Sequence, residues 1–206
     1  MHLVMPRVAL VAALMGALAV LLSGCAGATE ETAREVPVYL VPMGDVKRST
    51  IAAAKLGVQR SDPTLIAQVP GMVRIPSDAF DGEQVVAERA LAALSTFATE
   101  SGLEPGATVI GLTPADMRIA RRPEWRWAFS LREGSRAIVA TGRFDDRRYG
   151  LPKNPTAFQR RVVTAVGRNV AFLTLGARQT DDPACINGPA PEGIDELDAL
   201  GATVCE

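Results

Sequence analysis

The chain carries one histidine in 206 residues, His2, inside the first apolar stretch. The rest of the sequence therefore excludes every mechanism that needs an imidazole, including the Ser-His-Asp triad and Cys-His pairs. It also lacks the commonest zinc ligand. Cysteine is scarce: Cys25, Cys185 and Cys205 are the three. Lysine is limited to Lys47, Lys55 and Lys153, and none stands beside a serine in a way that suggests Ser-Lys catalysis. The net charge is −1 and no basic stripe with interleaved aromatics occurs, so nucleic acid is not an expected partner. Internal repeats are absent.

What is present starts with an address. MHLVMPR is a short n-region with one arginine, and VALVAALMGALAVLL is an apolar run too short for a comfortable membrane span. Leu22-Ser23-Gly24-Cys25 follows as a lipobox. Residues 1–24 are thus expected to be a lipoprotein signal peptide, with the Cys25 thiol accepting a diacylglycerol. The competing reading is a plain transmembrane anchor with Cys25 incidental. Acyl chains on Cys25 would place the protein on the outer face of a bacterial membrane, in the cell envelope. AGATEETARE is polar and aperiodic, so residues 25–35 are expected to form a flexible tether. Residues 36–206 have the length of one ordinary domain. In an oxidising compartment its two cysteines favour a disulfide over a metal pair.

VPVYLVP (36–42) reads as a core strand and VKRSTIAAAKLG as a helix stopped by Gly57. LIAQVPGMVRIP reads as a broken strand, and DAFDGEQ as a loop. In VVAERALAALSTFATES, Val86, Ala90, Leu94 and Phe97 share one helical face. ATVIGLT is a buried strand. WRWAFSL and SRAIVATGRF form an expected hairpin around Glu133-Gly134. Pro155 opens a last long helix whose Phe158, Val162, Val166, Val170 and Leu173 recur at helical spacing. The order, βαβαβββα with a loop-rich C-terminal tail, predicts a single α/β domain with a mixed β-sheet and long helices.

Other candidate sites are weak. Asp145-Asp146 and Asp181-Asp182 are expected as solvated turn residues rather than paired catalytic carboxylates. Glu192, Asp195, Glu196 and Asp198 lack a calcium-loop pattern and read as a solvated helix face. Trp125 and Trp127 alternate on an expected strand and would share a face, with sheet packing the default role.

Several segments, in order, resemble the archaemetzincins, a family of zinc metallopeptidase-like proteins. VYLVPMGDV is similar to the family's opening strand and turn, and IPSDAFDGEQVVAERALAALSTF to its loop before the first long helix. ATVIGLTPADM is similar to its central strand and following turn. The resemblance implies a metzincin-like domain and draws attention to the last helix. There the family carries H-E-x-x-H-x-x-G-x-x-H. Two histidines one helical turn apart bind zinc on one face, the glutamate acts as base, and a glycine turn brings in a third histidine.

Laid on VTAVGRNVAFLTLGARQTDDPACIN, this pattern falls on Gly167, Arg168, Ala171, Thr174 and Ala177. Every ligand, the base and the turn glycine are replaced, and Arg168 brings a permanent positive charge to the base position. The resemblance therefore implies vestigial metal and catalytic positions at Gly167, Arg168, Ala171 and Ala177, with no zinc and no other cofactor. The family's tail carries four cysteines on a structural zinc. Here Arg178 stands in the first place and Cys185-Ile186-Asn187 replaces C-x-M. Cys205 stands for the third, and the sequence given has no fourth after it. Two ligands do not make a structural zinc site, and the expectation is a Cys185–Cys205 disulfide.

The function expected from this resemblance is a catalytically inactive, metallopeptidase-like envelope lipoprotein that binds or scaffolds. The membrane is a partner through Cys25, and a protein or peptide partner lies along WRWAFSL. The alternatives are an active hydrolase with unrecognised ligands, or a purely structural envelope lipoprotein.

Overall fold

The computed structural model describes residues 37–206. The expected signal peptide, Cys25 and the expected tether lie outside the described residues. No described helix is long and apolar enough to cross a membrane.

The apolar run after Val36 forms β1 (Pro37–Pro42), almost wholly buried. Its residues alternate between two cores, as a strand with both faces covered requires. Val38 and Leu40 enter one core, and Tyr39, Val41 and Met43 the other. β5 (Thr108–Thr113) lies beside it and is buried throughout. A five-stranded sheet runs β2 (Ile66–Gln68), β1, β5, β8 (Arg136–Ala140), β7 (Ser130–Glu133). The first four strands are parallel and the edge strand β7 is antiparallel, so the sheet is mixed as expected. A smaller sheet joins β3 (Phe80–Asp81), β4 (Gln84–Val86) and β6 (Asp116–Arg118).

α2 (Ala87–Glu100) covers one face of the main sheet through Ala90, Leu91 and Leu94. α1 (Arg48–Ser61) and α3 (Pro155–Leu173) cover the other, where Val162, Val166 and Val170 form the expected apolar stripe. Asn154 caps α3 by accepting the Ala157 N–H at 3.1 Å, and Pro155 opens the helix at a position where its missing N–H costs nothing. A short α4 (Ile194–Ala199) lies in the tail.

Several sequence expectations fail locally, and DAFDGEQ, expected as a loop, contributes β3 and opens β4. Gly57 does not stop α1; the helix runs on to Ser61 with Gly57 buried. A Cβ there would stand 2.7 Å from the Val163 carbonyl oxygen, so this glycine permits α1 and α3 to approach. The 65–76 stretch is a strand only over Ile66–Gln68, with one further bridge from Val73 to Met43. WRWAFSL is extended in the sheet only from Ser130, so Trp125 and Trp127 share no strand face. Asp146 is buried rather than solvated, and Asp198 is half-buried. Asp146 is 6 % exposed and pairs with the buried Arg161, whose Nη2 also meets Asp198 at 2.7 Å. Arg161 donates further to the Phe144 carbonyl at 2.7 Å, so every side of this buried cation has an acceptor.

Candidate functional site

A cleft of about 610 Å³ opens between the segment 119–132 and α3, with residues 190–192 of the tail closing one end. Its wall is formed by the approach to β7 and by that edge strand itself. Its floor is the face of α3 that carries Ala165 and Arg168.

Of the four positions Gly167, Arg168, Ala171 and Ala177, Arg168 alone lines this cleft. Helical geometry explains the difference, since residues one apart point about 100° apart. Gly167 faces α1 and the tail: a Cβ would stand 2.7 Å from Ile186 Cδ1 and 3.0 Å from Ser61 Oγ. Ser61 Oγ donates to the Gly167 carbonyl at 3.1 Å, tying the helices where both backbones are bare. Ala171 is fully buried, and its carbonyl accepts the Ala177 N–H at 2.9 Å as α3 ends. The chain then turns at Gly176, whose φ of +66° is in the left-handed region. Phe172 lies one turn beyond Arg168, with its ring against the Arg168 guanidinium.

Arg168 is 4 % exposed. Its Nη1 donates to the Ile186 carbonyl at 2.8 Å, and its Nη2 is buried with no partner. Its guanidinium carbon lies 5.0 Å from the Phe172 ring centroid. Arg132, on β7, lies 4.0 Å from the same ring. Neither has an ion-pairing carboxylate among the described residues. Burial, and then repulsion from Arg132, pushes the Arg168 guanidinium down to about 10, still charged at neutral pH. Burial lowers Arg132 in the same direction. Sequence reasoning missed Arg132: no periodicity tells a strand residue which helix side chain it will meet.

The two tryptophans also line the cleft, on the approach to β7. Trp125 is exposed under Arg122, and Trp127 packs 5.2 Å from Phe129 with Arg143 over its ring. Behind Trp127, Arg143 forms a two-point bond with Asp116, at 2.8 and 2.7 Å. Burial works to raise the Asp116 carboxyl, but the bonds from Arg143 and Gln84 outweigh it and hold it below its usual range.

The tail is pinned beneath the α3 terminus. Cys185 and Cys205 are joined by a disulfide with Cα atoms 5.6 Å apart. Asn187, fully buried, accepts the Cys205 N–H at 2.9 Å and donates to the carbonyls of Cys205 and Arg178 at 2.8 and 2.6 Å. No signal in the sequence announced this clamp.

The donor set does not fit a zinc ion. No group of three or more His, Cys, Asp or Glu side chains comes together among the described residues. The α3 face lining the cleft carries a cation, Arg168, and Gly167 faces Ile186 and Ser61 instead.

No family model matches the sequence, and no curated protein does. Solved structures do. The chain is similar to a zinc-dependent peptidase from Methanocorpusculum labreanum, with TM-score 0.68 and 20 % identity over 82 % of this chain and 95 % of that one. It is also similar to the archaemetzincin of Methanopyrus kandleri, with TM-score 0.65 and 19 % identity over 85 % and 93 % of the two chains. A third, the archaemetzincin of Archaeoglobus fulgidus complexed with malonate, gives TM-score 0.63 and 14 % identity over 82 % and 96 %. The fold is archaemetzincin-like.

Proposed function

We propose that this chain is a zinc-peptidase fold without peptidase chemistry, retained as a binding module on a bacterial envelope. The observation that carries this reading is the buried Arg168 guanidinium in the floor of the cleft. A hydrolytic zinc site needs three protein donors around an open position and a base for the bound water. Arg168 puts a fixed positive charge in the cleft, which works against both a dication and a proton-accepting base beside it. The residues that remain suit binding: an unpaired sheet edge, two tryptophans and cationic side chains. The occupant proposed is an extended peptide adding to β7 by main-chain hydrogen bonds.

Cys25 is the proposed lipid anchor, holding the domain to the outer face of the membrane through a flexible tether. Metabolic labelling with a fatty acid checks it. Cys25→Ser should lose both the label and the membrane fraction; a variant that keeps both contradicts the anchor. For the cleft, the full-length protein incubated with zinc should leave unstructured protein and peptide substrates intact. Cleavage that a chelator stops overturns the inactive reading.

A further inference from the structure

We infer that the cleft selects acidic peptides, by seating one ligand carboxylate between Arg132 and Arg168 while the ligand main chain pairs with β7. This deepens the peptide-binding reading above and rests on it.

The seat is built from three observations. The first is an uncompensated pair of cations. Arg132 and Arg168 both lie on the Phe172 ring, and the Arg168 Nη2 is a buried donor with nothing to bond. The other buried arginine among the described residues, Arg161, is matched by two carboxylates. An aromatic face offsets only part of the cost of burying a cation. A carboxylate accepting from both guanidiniums removes the orphaned donor and the mutual repulsion together.

The second observation is the register of β7. The Ala140 N–H bonds the Phe129 carbonyl, and the antiparallel pairing sets Leu131 opposite Ile138. Alternation then turns the backbone groups of Phe129, Leu131 and Glu133 toward β8, and those of Ser130 and Arg132 away from the sheet. The outward N–H and C=O of Arg132 are thus the docking points for an added strand. A ligand residue directly opposite Arg132 places its side chain about 5 Å away on the same face, the face where Arg168 and Phe172 lie.

The third is the charge of the lining. Arg121, Arg122, Arg126, Arg132 and Arg168 face a single acid, Glu192. The surface members are partly neutralised, Arg121 by Glu133 at 3.4 Å and Arg122 by Glu124 at 3.7 Å. The lining therefore carries an excess of positive charge, and Arg132 and Arg168 share it with no ion-pairing carboxylate among the described residues.

The chain's two tryptophans, Trp125 and Trp127, both line the cleft, so their emission reports occupancy. The experiment titrates the full-length protein with three probes: an N-acetylated alanine pentapeptide amide with a central glutamate, its glutamine counterpart, and inorganic phosphate. The glutamate peptide should saturate and bind at least about tenfold more tightly than the glutamine peptide, the ratio a charge-assisted hydrogen bond supplies. Arg132→Gln, at the half-buried edge, should erase that ratio without lowering the melting temperature. Arg168→Met should erase it as well. Equal binding of the two peptides overturns the carboxylate seat while leaving peptide addition to β7 standing. Binding of neither peptide overturns both. Saturation by phosphate with neither peptide binding assigns the arginine pair to a free inorganic anion and overturns the peptide ligand.

Discussion

Arg168 Nη1 donates to the Ile186 carbonyl at 2.8 Å, so the floor of the cleft is bonded directly to the disulfide-bearing tail. The bond fixes the guanidinium beneath Phe172 and leaves its second nitrogen turned to no acceptor.

That placement sets which frame of α3 faces the cleft. Arg168 lines the cleft and Phe172, one turn on, packs against it and Arg132, whereas Gly167 and Ala171 are packed away. Arg168→His with Phe172→His should therefore create a paired-imidazole site that takes up zinc or nickel weakly, as isothermal titration would show. Gly167→His with Ala171→His should instead destabilise the domain and bind no metal, because both positions are packed away from the cleft and a Cβ at 167 already crowds Ile186 and the Gly57 carbonyl. Metal binding by a folded Gly167→His, Ala171→His protein would contradict the frame.

The two helix glycines make a second prediction. Alanine at Gly57 adds about 1 kcal/mol of helix propensity, but its Cβ meets the Val163 backbone oxygen at 2.7 Å, which no rotamer change relieves. Forced separation of packed helices costs about 1–3 kcal/mol, so Gly57→Ala should lower or leave unchanged the thermal midpoint. A clear rise would show that the helix contact is looser than described.

Breaking the Cys185–Cys205 bond should cost about 3 kcal/mol on the loop-entropy model, a fall of about 6–12 °C in Tm for a domain of this size. Comparing the oxidised protein with Cys185→Ala, Cys205→Ala checks it. Asn187→Ala should add a separate loss, since it leaves the Cys205 N–H without its acceptor and the Cys205 and Arg178 carbonyls without their donor.

Acid should weaken the α3–α4 contact in a predictable direction. Burial works to raise the Asp198 carboxyl, but hydrogen bonds from Arg161 and Arg160 outweigh it and lower it from 3.8. A carboxylate depressed in the folded state contributes stability that is full above its unfolded value and lost as pH falls through the folded one. Urea midpoints should thus drop below pH 3.8, and Asp198→Asn should flatten that drop. Asp145, held near about 2 chiefly by its Arg147 bond, acts in the same window between 3.8 and about 2.

The long elements were legible because their signals are local. The apolar periodicity of α3 and the buried runs of β1 and β5 depend on neighbours in the chain. Gly57 was misread because a glycine ends a helix or lets two helices touch, and only the partner decides which. Asp146 looked solvated because the arginine that buries it, Arg161, arrives from another element. The cleft followed the same rule. Absence of histidine and the charge at Arg168 could be read directly, while Arg132, the Asn187 clamp and the facing of Gly167 exist only once α3, β7 and the tail meet.

The most direct test of the central claim is zinc content, by elemental analysis of the full-length protein saturated with zinc and then desalted. The account predicts no retained zinc, and a peptide-binding cleft indifferent to chelator. One zinc retained per chain, lost to chelator together with peptide cleavage, would contradict it.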